Sequence, residues 1–266
     1  MSLELAASVV LTALAAALAR KYKALDEWGL ASALTLAAVL ILVDARLLML
    51  MMLFFATSSA LTLFGYEVKE KRGAAEKRGG RGAAQVLCSG AVPAALAAIS
   101  LVVPYDFKRA LYFASSASMA YANADTWASE IGSLSESKPV LITNPRVRVP
   151  PGVSGGVTLL GELGALGGSA TIAAASATLA LADVKGALLI FICGWFGEVL
   201  DAFLGALIQA KYLCPVCNLL SDKEVHACGA RAQKIKGFKL IKNEVVNLIT
   251  ELAVSSLVFQ LTLLYL

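Results

Sequence analysis

The stretch LYFASSASMAYANADTWASEIG, residues 111–132, decides how this chain is read. Its first half is an apolar run of the kind that crosses a bilayer. Its second half, NADTWASEIG from Asn123 to Gly132, carries an amide and two carboxylates, Asp125 and Glu130. Ionisable groups at that depth are costly, and they are usually paired or functional. On a helix, Asp125 and Glu130 stand about 140° apart around the axis. They converge only if the helix ends or kinks between them, near Ser129. Tyr121 and Ser129 share the face of Asp125, and Thr126 shares that of Glu130.

The rest of the chain fits that membrane setting. Of its 266 residues, 58% are hydrophobic and 16% charged, and the mean hydropathy is +0.74. Soluble domains sit near 45–50% apolar and about 25% charged. Runs able to cross about 30 Å of hydrocarbon fall at 3–19, 28–43, 47–64, 86–103, 110–124, 157–182, 186–210 and 245–266. The expected fold is therefore all-α: a polytopic bundle of about eight transmembrane helices forming one membrane domain over 1–266. The N-terminal run has its positive charges after it rather than before it, which suits a first span better than a cleaved signal peptide. The segment GALGG from Gly164 to Gly168 has the spacing of small residues that lets membrane helices approach closely.

Lys and Arg are distributed very unevenly. The first, third, fifth and seventh loops hold 19 of the 23, and the even loops hold 4. The positive-inside rule then predicts cytosolic odd loops and both termini outside.

The unusual sequences lie in those odd loops. The third, 65–85, carries Lys69, Lys71, Arg72, Lys77, Arg78 and Arg81 beside the glycines of GGRG. Two readings stand: a polybasic segment resting on anionic lipid, or a polyphosphate clamp of mobile cations and close-approaching backbone amides. No GxxxxGK[ST] occurs, which excludes a P-loop NTPase. The fifth loop ends in PPGVSGG, where Gly152, Ser154, Gly155 and Gly156 are expected to open the sixth span as a helix N-terminus, an anion site by geometry. A proline-stiffened turn that merely starts the helix is the plainer alternative.

Two further spans carry polar stripes. GEVLDAFLGA places Glu198 and Asp201 three residues apart, and Asn243, Asn247 and Glu251 follow at i, i+4 and i+8. Oxygen ligands with a single histidine in the chain suit Mg²⁺, which takes one or two carboxylates plus substrate phosphates. The seventh loop, 212–243, contains CPVC and HAC. Cys214, Cys217, His226 and Cys228 form a Cys₃His set compatible with structural Zn²⁺; unliganded or redox-active thiols are the alternative. Nothing points to nucleic acid.

NADTWASEIG, the LIT of LITNP, VPPGVSGG, DAFLGA, NEVVNLI and GGRGAAQVLCSGAVP together resemble the integral-membrane family that includes the plant phytyl-phosphate kinases. That resemblance implies transfer of a phosphoryl group from a nucleoside triphosphate, CTP in the plant members, to an isoprenyl monophosphate such as phytyl, farnesyl or geranylgeranyl phosphate. It implies a lipid phosphate near Asn123 and Asp125, with Thr126, Ser129, Gln85, Thr143, Asn243 and Asn247 among the substrate-binding groups. A triphosphate would be held by Lys69, Lys77, Arg78, Arg81 and the glycine turn. Mg²⁺ would sit on Asp125 and Asp201, with Glu130 beside them. The family pattern has no counterpart for the cysteine set, Glu162, Glu198 or Glu251. The competing expectation is a transporter or flippase of an anionic lipid or small solute, using the intramembrane acids as an ion path.

Overall fold

The structure, a computed structural model, describes residues 3–75, 80–226 and 228–265. Eight long helices follow the eight apolar runs: α1 Leu3–Lys21, α2 Glu27–Val43, α3 Ala45–Leu63, α5 Ala83–Ile99, α6 Tyr105–Gly132, α7 Leu159–Thr178, α8 Val184–Leu207 and α9 Asn243–Tyr265. A short helix, α4 (Tyr66–Lys71), lies in the third loop. The tight hairpins are made by aspartates. Asp44 closes α2 and caps α3 by accepting from the Arg46 N–H, and Asp183 caps α8 by accepting from the Gly186 N–H at 2.8 Å. Each supplies an acceptor to an otherwise unpaired amide of the first turn.

The helix carrying the deciding stretch is longer than its apolar run implied. α6 continues unbroken through Asp125 and Glu130 to Gly132, so the two carboxylates do not converge. Every residue from Leu111 to Ala124 is buried, because α3, α5, α7, α8 and α9 all pack against this helix. A helix surrounded by protein tolerates Ser115, Ser116 and Ser118, which a lipid-facing helix would not favour. The tightest packing is with α7. A methyl group added at Gly168 would lie 2.8 Å from the Asn123 carbonyl oxygen, so the GALGG spacing does serve close approach.

The connections sort into two ends. At one, Arg81 pairs through its backbone with Ala24 and Asp26 of the α1–α2 connection. At the same end the Arg72 guanidinium donates to the carbonyls of Ser133 and Ser135, and Ser154 meets Asp222 of the α8–α9 connection. At the other end the Arg46 guanidinium donates to the Ala180 carbonyl, and Arg109 approaches Asp183 at 3.4 Å. Odd and even loops are thus separated as the charge count predicts. Among the described residues α3, α8 and α9 are long and apolar enough by themselves to cross a membrane, while α2 and α5 are shorter apolar helices of 17 residues.

Two small sheets were not foreseen. In the α6–α7 connection, β1 (Val140–Leu141), β2 (Asn144–Arg148) and β3 (Gly156–Val157) form an antiparallel sheet in the order β2-β1-β3. In the α8–α9 connection, β4 (Lys211–Leu213), β5 (Leu220–Ser221) and β6 (Gln233–Lys236) pair in the order β5-β4-β6. The glycine turn therefore leads into β3, and α7 begins later, capped by Thr158. It does not stand at a helix N-terminus.

Candidate functional site: an amphipathic cavity at the basic end

A cavity of about 280 Å³ opens between α2, α3, α5, α6 and α9. One wall is apolar, formed by Leu36, Met51, Phe54 and Phe55. The other is polar, formed by Arg81, Gln85, Asp125, Thr126, Ser129, Asn243, Glu244 and Asn247. Long-range segments meet here because the third loop is tied to the α1–α2 connection and because α9 packs on α6. Asp125 accepts no hydrogen bond from any described residue. It lies within electrostatic range of Arg81 and of Asp201. The Asn247 Oδ1 is buried without a hydrogen-bond partner among the described residues.

Asp201 stands behind Asp125 on α8. Its Oδ1 accepts from the Tyr121 hydroxyl at 2.7 Å and from the Thr250 hydroxyl at 3.3 Å. Both donors are themselves buried, so this carboxylate is held in one orientation. Tyr121 was placed on the face of Asp125 by helical spacing, but its hydroxyl serves Asp201 instead. Thr250 was missed; its position beside Glu251 on the polar α9 stripe was the available signal. Glu251 is 1% exposed, and neither of its carboxylate oxygens has a hydrogen-bond partner among the described residues.

Several expected site residues have other work. Asn123 is fully buried. Its amide donates to the Gly168 carbonyl at 2.8 Å, and its Oδ1 accepts from the Thr57 and Ser58 hydroxyls. With its hydrogen bonds committed, it pins α3, α6 and α7 together and cannot hold a substrate phosphate. Glu130 accepts from Thr62 at 2.7 Å and from the Lys69 ammonium. Lys69, 1% exposed, also donates to the carbonyls of Leu61 and Thr62 at the end of α3. It is a buried structural cation and not a mobile phosphate ligand, and Glu130 belongs to that ion pair rather than beside Asp125. Thr143 lies in the β1–β2 turn and lines neither cavity described here. Lys77 and Arg78 lie outside the described residues.

The glycine turn borders a second cavity of about 150 Å³. Gly152, Ser154 and Gly156 line it from above, Glu162 and Glu198 from below, and Ser129 is common to both cavities. The Ser154 N–H, expected to meet an anion, donates to the Asp222 carboxylate at 2.7 Å. Asp222 also accepts from Gln209 at 3.2 Å and from the Lys211 ammonium at 2.7 Å. Burial lowers the pKa of Lys211, and Asp222 partly offsets that. Gly155, in the left-handed region at φ +80°, packs on α8, where an added methyl would lie 2.9 Å from the Ala202 carbonyl oxygen.

The seventh loop gathers its four candidate ligands. The donor atoms of Cys214, Cys217, His226 and Cys228 all lie within 4.8 Å of one another, and among the described residues this is the group of three or more that could hold a metal ion. Cys214 Sγ and Cys228 Sγ are 3.6 Å apart, His226 Nδ1 is 3.2 Å from Cys228 Sγ, and the Cys217 N–H points to Cys214 Sγ. That backbone bond is the first cause of a lowered Cys214 pKa, whereas the bond to Cys228 pushes Cys217 up to about 11. Three sulfurs and one imidazole nitrogen at this spacing fit tetrahedral zinc.

A bundle with apolar outer helices, a central helix whose serine-bearing middle is buried by its neighbours, and a cavity at one end defines an integral membrane protein. The chain belongs to the integral membrane protein family DUF92, which it matches over residues 10–255. Protein PGR of Arabidopsis thaliana is 31% identical over 94% of this chain and 93% of its own length. An uncharacterised membrane protein of Synechocystis is 29% identical over 74% of this chain and 76% of its own. One from Methanocaldococcus jannaschii is 30% identical over 77% of this chain and 83% of its own. No solved structure gives a significant match.

Proposed function

We propose that this protein is a membrane phosphotransferase that phosphorylates an isoprenyl monophosphate to the diphosphate, using a nucleoside triphosphate, CTP by analogy with the plant phytyl-phosphate kinases it resembles. The observation that carries the reading is the two-sided cavity. Its apolar wall suits a prenyl chain, and its polar wall sets Arg81 beside Asp125, which accepts no hydrogen bond from the described residues, where a lipid phosphate would lie.

The roles follow from the geometry. Arg81, anchored through its backbone, supplies fixed positive charge to phosphate oxygens. Thr126, Ser129, Gln85, Asn243 and Asn247 offer neutral hydrogen bonds around it. Asp125 and Asp201 fit a magnesium ion of the kind that keeps most of its ligands as water and phosphate: among the described residues Asp125 has no competing donor, and the two bonds on Asp201 both fall on Oδ1. When bound, that ion would neutralise the phosphoryl oxygens of two anionic reactants. An acceptor phosphate oxygen attacks the γ-phosphorus in line, the β–γ bridging bond breaks, and the nucleoside diphosphate leaves with the electron pair. The acceptor is already ionised near neutral pH, so no general base is required, in keeping with the chain's single histidine. The reading also takes all eight long helices as spans, with the basic end and its loops cytosolic by the positive-inside rule and both termini outside.

The test is purified protein with CTP, ATP, GTP or UTP, Mg²⁺, and phytyl, farnesyl or geranylgeranyl phosphate. Formation of a prenyl diphosphate supports the reading. No diphosphate from any combination would overturn it, and liposome flux of an anionic lipid that survives Asp125→Ala would favour transport.

A further inference from the structure

Glu162 and Glu198 are assigned no part in the chemistry above, yet both face the second cavity, beneath the glycine turn. Glu198 is 6% exposed, and its Oε2 is buried with no hydrogen-bond partner among the described residues. Glu162 has one weak donor, the Trp195 indole N–H at 3.4 Å. Glu198 lies within electrostatic range of Glu162 and, beyond it, of Asp125 and Asp201. None of the described residues lining this cavity is Lys, Arg or His. Arg72 and Lys211 touch residues of its rim, but Arg72 is committed to the Ser133 and Ser135 carbonyls, and Lys211 to Asp222 and the Ser154 carbonyl. The remaining lining is hydroxyls, backbone and small apolar groups.

A pair of acids around a cavity that no described residue lines with a base is the inverse of an anion site. A carboxylate oxygen buried without a partner is relieved either by taking a proton or by a bound cation, and a second carboxylate facing the same cavity favours the cation. The geometry points to a divalent-cation site formed by Glu162 and Glu198, separate from the Asp125–Asp201 pair and reached from the glycine turn. The donors are all oxygens, and a cavity of about 150 Å³ leaves room for the waters that a hard ion such as Mg²⁺ retains. Ser129, shared by both cavities, places this ion next to the amphipathic cavity. Resting on the phosphotransferase reading, its role would be to bring in the triphosphate through its counter-ion, which explains how an acidic cavity can border a nucleotide site.

The experiment uses the full chain purified in detergent with its zinc-loop cysteines intact, and terbium(III) and Mn²⁺ as probes in the absence of nucleotide. Trp195 donates to Glu162, so terbium bound there takes up energy from that indole. Sensitised terbium emission is expected from the wild type. It should be lost in Glu198→Gln and in Trp195→Phe, retained in Asp125→Asn, and competed away by Mg²⁺. Mn²⁺ binding followed by electron paramagnetic resonance should survive Trp195→Phe and lose one ion in Glu162→Gln/Glu198→Gln. Absence of sensitised emission from the wild type, or Mn²⁺ binding unchanged in the double variant, overturns the site. Because neither readout needs turnover, cation binding without any diphosphate product would discard the kinase reading and leave this site standing.

Discussion

Asn123 and Asp125 stand two residues apart on α6 and carry opposite kinds of burden. Asn123 spends its amide on the Gly168 carbonyl and on the Thr57 and Ser58 hydroxyls. Asn123→Ala should therefore lower stability by about 1–3 kcal/mol, the cost of leaving buried partners unpaired, visible as a lower melting temperature in detergent. Asp125 receives no such bond from the described residues, so Asp125→Asn should leave the melting temperature nearly unchanged while lowering diphosphate formation by about 100-fold or more, the scale of losing a group that stabilises transition-state charge. A second contrast concerns Lys69 and Glu130. Removing either charge alone strands the other in the interior and should cost about 3–5 kcal/mol, whereas Lys69→Met with Glu130→Leu should recover much of it; a double-mutant cycle on thermal stability checks this. The sequence marked Asn123, Asp125 and Glu130 because polar groups at the end of an apolar run stand out, and Lys69 as one cation of the basic third loop. It could not separate pins from ligands, because that depends on partners 45 to 68 residues away.

At the level of elements, the helices were readable and the sheets were not. Apolar runs and flanking aspartates located the eight long helices to within a few residues, except where α6 outruns its apolar half because neighbouring helices bury it. The strands β1 to β6 are two to five residues long, too short for a period-two pattern to show. Their consequence is functional. The cysteine loop is tied through β5 and Asp222 to the Ser154 N–H, so zinc is expected to steady the glycine turn rather than join the chemistry. Chelation, or Cys214→Ser, should release about one zinc per chain and raise amide exchange at residues 152–156, measured by hydrogen–deuterium exchange mass spectrometry, with α5 and α6 unaffected. Unchanged exchange at the turn would contradict the coupling. In α7, Gly168→Leu should disrupt the contact with α6 and destabilise the fold, overpacking of this kind costing about 1–3 kcal/mol or more.

Across the whole molecule, the charge asymmetry and the fold agree on which loops share an end. Single cysteines placed at residues 24, 135 and 223 in a cysteine-free background should all be labelled from one side of oriented membranes, and those at 45 and 180 from the other; mixed labelling would break the eight-span arrangement. The same end holds both cavities, so lipid and nucleotide are expected to meet there, one from the bilayer and one from water. The most direct measurement is phosphoryl transfer itself. With purified protein, Mg²⁺, geranylgeranyl phosphate and CTP labelled at the γ-phosphate, label should pass into geranylgeranyl diphosphate in the wild type and not in Asp125→Asn. Label that never reaches a prenyl diphosphate with any of the four nucleotides, or that transfers equally well without Asp125, would contradict the account.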